Sequence, residues 1–390
     1  MSERRARRRV AVLTTGRQDY GILRSSLLLL QRDPRFELLL WVGGMHLSKA
    51  HGETASLLAA DGLAGSAELD FLTDPPDPAH DSQRALGDVT RVLREQRPEF
   101  LVLLGDRYET LAAGFAATLA GVPLVHLHGG EETEGAIDNA MRHALTKLSH
   151  LHLVSHPTHA RRVLQMGETP SRVIVVGAPG LDNLYRDDLP DRAALAAQLG
   201  ATLEPPLVIV TLHPATAGGD AASEAEALSR AMERVPASYV ITQPNSDHGG
   251  QAIRAHWSTW THGRARVVLV DALGERRFFA LLRHADAVLG NSSSGIIEAP
   301  SAGLPVVNVG DRQAGRLRSS HVIDVPAETA AIERALRSAL APETRARLRD
   351  AATPYLPGPA APRIVEALAN ANFEQPPRKR FADMPGGVQP

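Results

Sequence analysis

Short runs of apolar, often β-branched residues alternate along this chain with longer stretches whose apolar positions recur every three or four residues. Val10–Thr15, Phe36–Val42, Phe100–Leu104, Pro123–His128 and Val173–Val176 read as buried strands, with helical patterns at Gly21–Gln31, Ser82–Gln96 and Arg107–Ala120 between them. The alternation restarts after residue 205, with strands at Leu207–Leu212, Tyr239–Thr242, Val267–Val270, Ala287–Leu289 and Val306–Val309. Apolar strands separated by helices imply parallel sheets covered on both faces. The pattern predicts an α/β protein of two doubly wound, Rossmann-like domains facing each other across a cleft. The proline- and charge-bearing stretch Asp187–Pro206 puts the boundary at 188/189, so the domains are 1–188 and 189–373. The remaining tail, 374–390, is rich in Pro, Arg and Lys and is expected to be largely irregular, with Phe381 pinning part of it to the body.

Composition narrows the function more than the fold. A length of 390 residues suits two cores better than one. With 43% hydrophobic and 22% charged residues and a net charge of −2, nothing favours nucleic acid or an anionic membrane as partner. The chain has no cysteine, which excludes disulfides, thiolate nucleophiles and zinc–sulfur sites and fits a cytoplasmic protein. The basic start, Arg4 to Arg9, passes straight into the first strand without the apolar core of a signal peptide. No apolar run approaches the roughly 20 residues that span a bilayer.

In open parallel sheets ligands bind beyond the carboxyl ends of the strands, so the polar residues found there are the candidates. In the first half these are Arg17 after Thr15-Gly16, and His46 after Gly43-Gly44. Asp106 and Arg107 follow Gly105, and His126-Leu127-His128-Gly129-Gly130-Glu131 is followed by Asp138 and Arg142-His143. Asp106 would serve equally as a helix N-cap. Period-2 spacing puts His126 and His128 on one strand face, which with Glu131 raises the question of a metal; a base or a structural hydrogen bond is the preferred reading. In the second half His213 and Asn245 close strands. Gly290-Asn291-Ser292-Ser293-Ser294-Gly295 leads into a predicted helix that carries Glu298. Three serines between glycines at a helix start make an anion cradle, to which Arg312 and Arg316 add charge. The Gly-Lys-Ser/Thr of a P-loop is missing.

At these residues the chain resembles the hydrolysing UDP-N-acetylglucosamine 2-epimerases of sialic-acid and related sugar pathways. The resemblance spans roughly residues 8–385. It rests on ordered motifs: Thr-Gly-Arg-x-Asp-Tyr-Gly (15–21), Gly-Met-His-Leu (44–47), Leu-Gly-Asp-Arg-Tyr-Glu (104–109), His-x-His-Gly-Gly-Glu (126–131), Ile-Asp with Arg-His (137–143), His-Pro-x-Thr (213–216), Gly-Asn-Ser-Ser-Ser-Gly (290–295) and Gly-Asp-Arg-Gln-x-Gly-Arg (310–316). It implies a GT-B-like fold with UDP held mainly by the second domain. Ser292, Ser293, Glu298 and Arg312 match the family's UDP-binding positions, and Ser294, Gly295 and Arg316 flank them. Arg17, His46, Arg107 and Asn245 match other cleft positions. Asp106, Asp138 and His213 match residues implicated in catalysis. Some members carry glutamate where His128 stands, and Glu131 is positioned to share its work.

The reaction implied is loss of the C2 proton with departure of UDP, giving a 2-acetamidoglucal, followed by addition of water at C1 and protonation of C2 on the opposite face. This would convert UDP-N-acetylglucosamine to N-acetylmannosamine. It calls for acid–base groups on both faces of C2, for which Asp106 and Asp138 are the first choice, with His213 and Arg107 assisting the leaving phosphate. It requires no metal and no nicotinamide. The alternatives are the same chemistry on a UDP-2,4-diacetamido-2,4,6-trideoxyhexose, the non-hydrolysing epimerase, a GT-B glycosyltransferase and a non-catalytic nucleotide-sugar sensor. A homodimer or tetramer is expected from the resemblance alone.

Overall fold

A computed structural model of the chain describes residues 7–49, 54–75, 77–132, 138–214, 220–244, 249–271, 273–374 and 377–383. The chain divides into two compact units, Met1–Asp182 together with Tyr355–Pro390, and Asn183–Pro354.

The first unit runs β1 (Arg8–Thr14), α1 (Arg17–Arg32), β2 (Phe36–Gly43), α2 (Ala55–Ala60), β3 (Ala67–Leu69), α3 (Pro78–Gln96), β4 (Phe100–Leu104), α4 (Tyr108–Leu119), β5 (Leu124–Leu127), α5 (Asp138–Leu148), β6 (Leu151–Val154), α6 (Pro157–Gln165) and β7 (Val173–Val175). Its seven strands are parallel, in the order β3-β2-β1-β4-β5-β6-β7. The second unit runs α7 (Arg192–Leu199), β8 (Leu207–Thr211), α8 (Ala221–Arg234), β9 (Ser238–Thr242), α9 (Gly250–Trp260), β10 (Val267–Val270), α10 (Gly274–His284), β11 (Ala287–Gly290), α11 (Glu298–Ser301), β12 (Val306–Val309), β13 (Val322–Val325), α12 (Thr329–Leu340) and α13 (Pro342–Leu348). Its six strands repeat the order as β10-β9-β8-β11-β12-β13, again all parallel. In each sheet the winding reverses once, at β1/β4 and at β8/β11. Such a reversal splays the two loops apart and leaves a crevice for a ligand.

Apolar side chains fill both faces of each sheet. Val10, Val12, Phe100 and Val102 face α1 and the returning C-terminal segment, while Ala11, Leu13, Leu101 and Leu103 face α3 and α4. Val208 and Val210 face α8 and α12, and Ile209 faces the opposite layer. No helix among the described residues is long and apolar enough to cross a membrane.

The division differs from the boundary expected at 188/189. Residues after Asp182 already belong to the second unit, where Arg283 donates to the carbonyl oxygens of Leu184 and Arg186 at 2.6 and 2.7 Å. The segment 355–373, expected in the second domain, packs on the first. Its helix α14 (Ala361–Asn370) buries Ile364, Val365 and Leu368 in the first unit's core. Buried Asp182 caps α14 by accepting from the backbone N–H groups of Ala360 and Ala361 at 2.6 and 2.7 Å. At the other end Arg8 donates to the carbonyl oxygens of Leu368 and Ala369 at 2.7 and 3.0 Å. Part of the basic N-terminal run is therefore helix-capping charge, placed at the negative end of the helix dipole.

Candidate functional site

The crevice at β1/β4 collects the first unit's polar residues. After β1 the backbone is extended at Gly16, and Arg17 is exposed at the first position of α1. Asp19, within the same turn, accepts from the Thr15 N–H at 3.1 Å and its hydroxyl at 2.5 Å. Burial pushes the Asp19 carboxyl above the usual range. Across the crevice Arg107 pairs with Glu109, whose carboxylate is buried. Burial opposes the Arg107 charge, but Glu109 and Asp19 more than offset this and hold the guanidinium firmly protonated.

Asp106 does not cap α4, which starts at Tyr108 with Arg107 as its N-cap residue and no side-chain cap. Its carboxylate instead pairs with Arg142 of α5, and 21% of the Asp106 side chain remains exposed, against 7% for Arg142. Gly105, at φ +80°, turns the chain so that this can happen. Asp138 opens α5 four residues before Arg142, so the two share a helix face. The helix that carries one acid–base candidate, Asp138, thus pairs through Arg142 with the other, Asp106.

The His-x-His pair does not form the arrangement expected of it. β5 ends at Leu127, and His128 has φ +64°, which breaks the period-2 alternation. His126 is fully buried; its ring bonds to the Gly105 carbonyl oxygen at 2.8 Å and the Thr146 hydroxyl at 3.2 Å, and burial lowers its pKa to about 3. His128 Nδ1 meets Glu131 Oε1 at 2.7 Å. Glu131 also accepts from Ser155 Oγ at 2.6 Å and lies 3.8 Å from His159. Burial works against both charges of the His128–Glu131 pair, yet their mutual attraction and hydrogen bond prevail. The imidazole is raised above its ordinary value and the carboxylate held down at about 2. His128 Nε2 is buried and has no hydrogen-bond partner among the described residues. Among those residues no group of three His, Cys, Asp or Glu could hold a metal ion.

His46 was expected to meet ligand, but it is fully buried. Its ring nitrogens bond to the hydroxyls of Thr14 at 3.0 Å and Thr54 at 2.8 Å, and burial lowers its pKa to about 4. His46 acts by fixing the β1 and β2 ends. Its neutral burial has a measurable consequence. The unfolded chain takes up a proton below the ordinary histidine pKa of 6.5 and the folded chain does not, so stability falls as pH drops from 6.5 towards 4. His46 contributes roughly 3 kcal/mol to that loss. The urea midpoint is expected to fall over this range, and His46→Asn to flatten the slope; an unchanged slope in the variant would refute the assignment.

At the β8/β11 crevice Gly290 ends β11 at φ +132°. Asn291 is buried and clamps the opposite loop: Oδ1 accepts from the His213 N–H and Nδ2 donates to the His213 carbonyl oxygen, both at 2.8 Å. Buried Gln313 in turn donates to the Asn291 carbonyl oxygen at 2.9 Å. Ser292 caps a single 3-10 turn, Ser293–Gly295, accepting from the Ser294 N–H at 3.3 Å. The helix expected after it is only the four-residue α11, which contains Pro300. The macrodipole there is accordingly small, and the loop that carries Arg312 and Arg316 is held to the strand end by Gln313. Burial raises Glu298 to about 7, against the lowering influence of Arg316, and its Oε2 has no hydrogen-bond partner among the described residues. Asn245 lies outside the described residues.

The sequence reading named the outer side chains of both crevices, and Arg142 without its role, and missed the others that hold them: Asp19 and Glu109 in the first unit, and Asn291 and Gln313 in the second. All five stand inside the quoted motifs. Only their long-range partners reveal what they do.

The UDP-N-acetylglucosamine 2-epimerase family profile matches residues 29–369. A Legionella pneumophila UDP-N,N'-diacetylbacillosamine 2-epimerase (hydrolyzing) is 36% identical, over 85% of this chain and 89% of that one. The Escherichia coli polysialic acid biosynthesis protein P7 is 30% identical, over 97% of this chain and 98% of its own length. Among solved structures, Neisseria meningitidis UDP-GlcNAc 2-epimerase bound to UDP-GlcNAc superposes with a TM-score of 0.78 at 19% identity, covering 93% of this chain and all of that one, a likeness of fold.

Proposed function

Because this chain belongs to the UDP-N-acetylglucosamine 2-epimerase family, we propose that it is a hydrolysing enzyme that takes a UDP-linked 2-acetamido sugar and water to the free 2-epimer and UDP. The observation that carries the reading is the pairing of Asp106, just after β4, with Arg142 of α5, the helix that Asp138 opens, together with the His128–Glu131 pair just after β5. In the first step a base takes the C2 proton. The C2–H electrons form the C1=C2 double bond, and the C1–O bond breaks with its pair leaving on UDP. In the second, the C1=C2 pair takes a proton at C2 from the group on the other face, and water bonds through oxygen to C1 and gives up one proton to solvent. We assign the C2 proton to Asp106 on one face and to Asp138 or His128 on the other. Arg107, held charged by Glu109 and Asp19, and His213 assist the departing phosphate. The serine turn, Arg312 and Arg316 take the diphosphate. The unpartnered oxygen of Glu298 takes the ribose hydroxyls. No metal or cofactor enters this scheme. The lack of cysteine fits our reading of a cytoplasmic protein.

Two sugars suit this chemistry. N-acetylglucosamine is one. The 36% identity to a relative named for diacetylbacillosamine favours the second, a 2,4-diacetamido-2,4,6-trideoxy sugar. Incubation with each UDP-sugar in D2O with EDTA, followed by proton NMR, tests both. Free UDP and a product deuterated at C2 are expected with each, at least tenfold faster with the diacetamido sugar. Product with UDP still attached, or no exchange with either sugar, would defeat the proposal.

Glu298 gives a separate expectation. A carboxyl near 7 must ionise to accept two ribose hydroxyls, so UDP affinity should weaken about tenfold per pH unit below 7 and level off above it. Isothermal titration at pH 6 and 8 for the wild type and Glu298→Gln isolates this from titration of the nucleotide. Parallel curves would remove Glu298 from the ribose site.

A further inference from the structure

We propose that residues 377–383 form a latch that keeps α5 in place against Asp106, with Lys379 as a positioning residue for the proton chemistry; this rests on the reaction proposed above. Most of the tail was expected to be irregular, and it has no regular secondary structure over these residues. It is nevertheless fixed at three points. The Lys379 side chain is 22% exposed, and Nζ donates to the carbonyl oxygens of Thr146 at 2.9 Å and Ser149 at 2.5 Å and to Glu168 Oε2 at 2.8 Å. Three acceptors match the three N–H bonds of an ammonium group. The Phe381 ring lies 4.9 Å from Lys147 Nζ and rests on Gly167, where an added Cβ would come within 2.6 Å of ring carbon Cδ2. The Ala382 N–H donates to the Gly167 carbonyl oxygen at 2.9 Å.

Lys379 and the Phe381 ring bear on one end of α5, and Ala382 fixes the tail to Gly167, in the turn after α6. The last carbonyls of a helix lack partners within it, and that end carries the negative pole of the dipole. Lys379 supplies both donors and charge there. Beneath it Glu168, 3% exposed, joins Lys147 at 2.6 Å and His152 at 2.9 Å. The other end of α5 carries Asp138 and Arg142. Helix α5 also reaches Asp106 by a second route, because the Thr146 hydroxyl bonds to His126, which bonds to the carbonyl oxygen of Gly105, the residue before Asp106. Proton transfer tolerates roughly 0.5 Å of displacement before rate is lost. A helix released at one end would pass its motion to both carboxylates. The diphosphate site, on the second unit, would be left as it is.

The test compares Lys379→Met, a chain ending at Phe373, and Arg378→Ala/Arg380→Ala, which alters exposed side chains beside the latch. We expect kcat to fall ten- to a hundredfold in the first two, with KM for the UDP-sugar within threefold and the third variant unchanged. A synthetic peptide of residues 374–390 should restore rate to the shortened chain. Hydrogen exchange in α5 should quicken in Lys379→Met while exchange in the second unit stays constant. This last readout needs no substrate, so it judges the latch even if the wild type turns over neither sugar. Wild-type kcat in Lys379→Met, or a lower Tm with α5 exchange and kcat unchanged, would overturn the proposal. If the shortened chain fails to fold, Lys379→Met decides.

Discussion

Asp106→Asn is expected to lower kcat by about three orders of magnitude, with the affinity for UDP unchanged within threefold, because an amide of the same shape cannot take a proton from C2. The substitution has a second effect. Arg142 is buried and pairs with Asp106, so removing the carboxylate charge also costs stability, by up to about 3 kcal/mol. The two effects separate in Asp106→Asn/Arg142→Gln, which removes both charges. Stability should partly return there and activity should not. If the double variant recovers turnover, Asp106 serves only to hold Arg142 and the base lies elsewhere. The same assay ranks the other candidates: Glu131→Gln should lower kcat less than Asp106→Asn does, since in the proposed scheme Glu131 reaches C2 only through its pair with His128.

The largest expected effect on folding belongs to Gly290→Ala. A Cβ there would fall inside contact distance of the Thr211 carbonyl oxygen and 2.7 Å from its carbonyl carbon, at a φ of +132° that L-residues avoid. Thr211 is backbone of the neighbouring strand and cannot retreat without breaking the β8/β11 pairing. A loss of about 4 kcal/mol or more is expected, enough to unfold the second unit in part at 37 °C. Any folded fraction should bind UDP weakly, because Asn291 would lose its clamp on His213. Gly310→Ala is the control. It has a φ of +75° with nothing within 4 Å of the added carbon, so only the backbone conformation is penalised, at about 1 kcal/mol. Equal Tm values for the two variants would show that contact with Thr211 is unimportant.

The fold was legible wherever strands were long and continuously apolar, and Phe100–Leu104, Val267–Val270 and Val306–Val309 match the observed β4, β10 and β12. The strands absent from the sequence reading are β3, β6 and β13. β3 has three residues, β6 is interrupted by His152, and β13 contains Asp324. None of these shows the hydrophobic run that marks a buried strand. Glycine-rich strand ends located both crevices, because a turn at positive φ leaves a compositional trace. The inward or outward aim of a loop histidine leaves none. His46 and His213 look alike in sequence, but two threonines bury the first and a backbone clamp fixes the second. The return of α14 to the first unit was equally invisible, since its apolar face would suit either sheet.

That return has a consequence for how the protein is made. A ribosome delivers β1 to β7 and then the whole second unit before it delivers Ile364, Val365 and Leu368, which complete the first unit's core. The nascent first unit must wait with an uncovered apolar groove along α1, while the later-made unit has all of its own residues in one stretch and can close first. Folding during synthesis should therefore run against the order of translation, and the groove along α1 is where a chaperone would be needed in the interval.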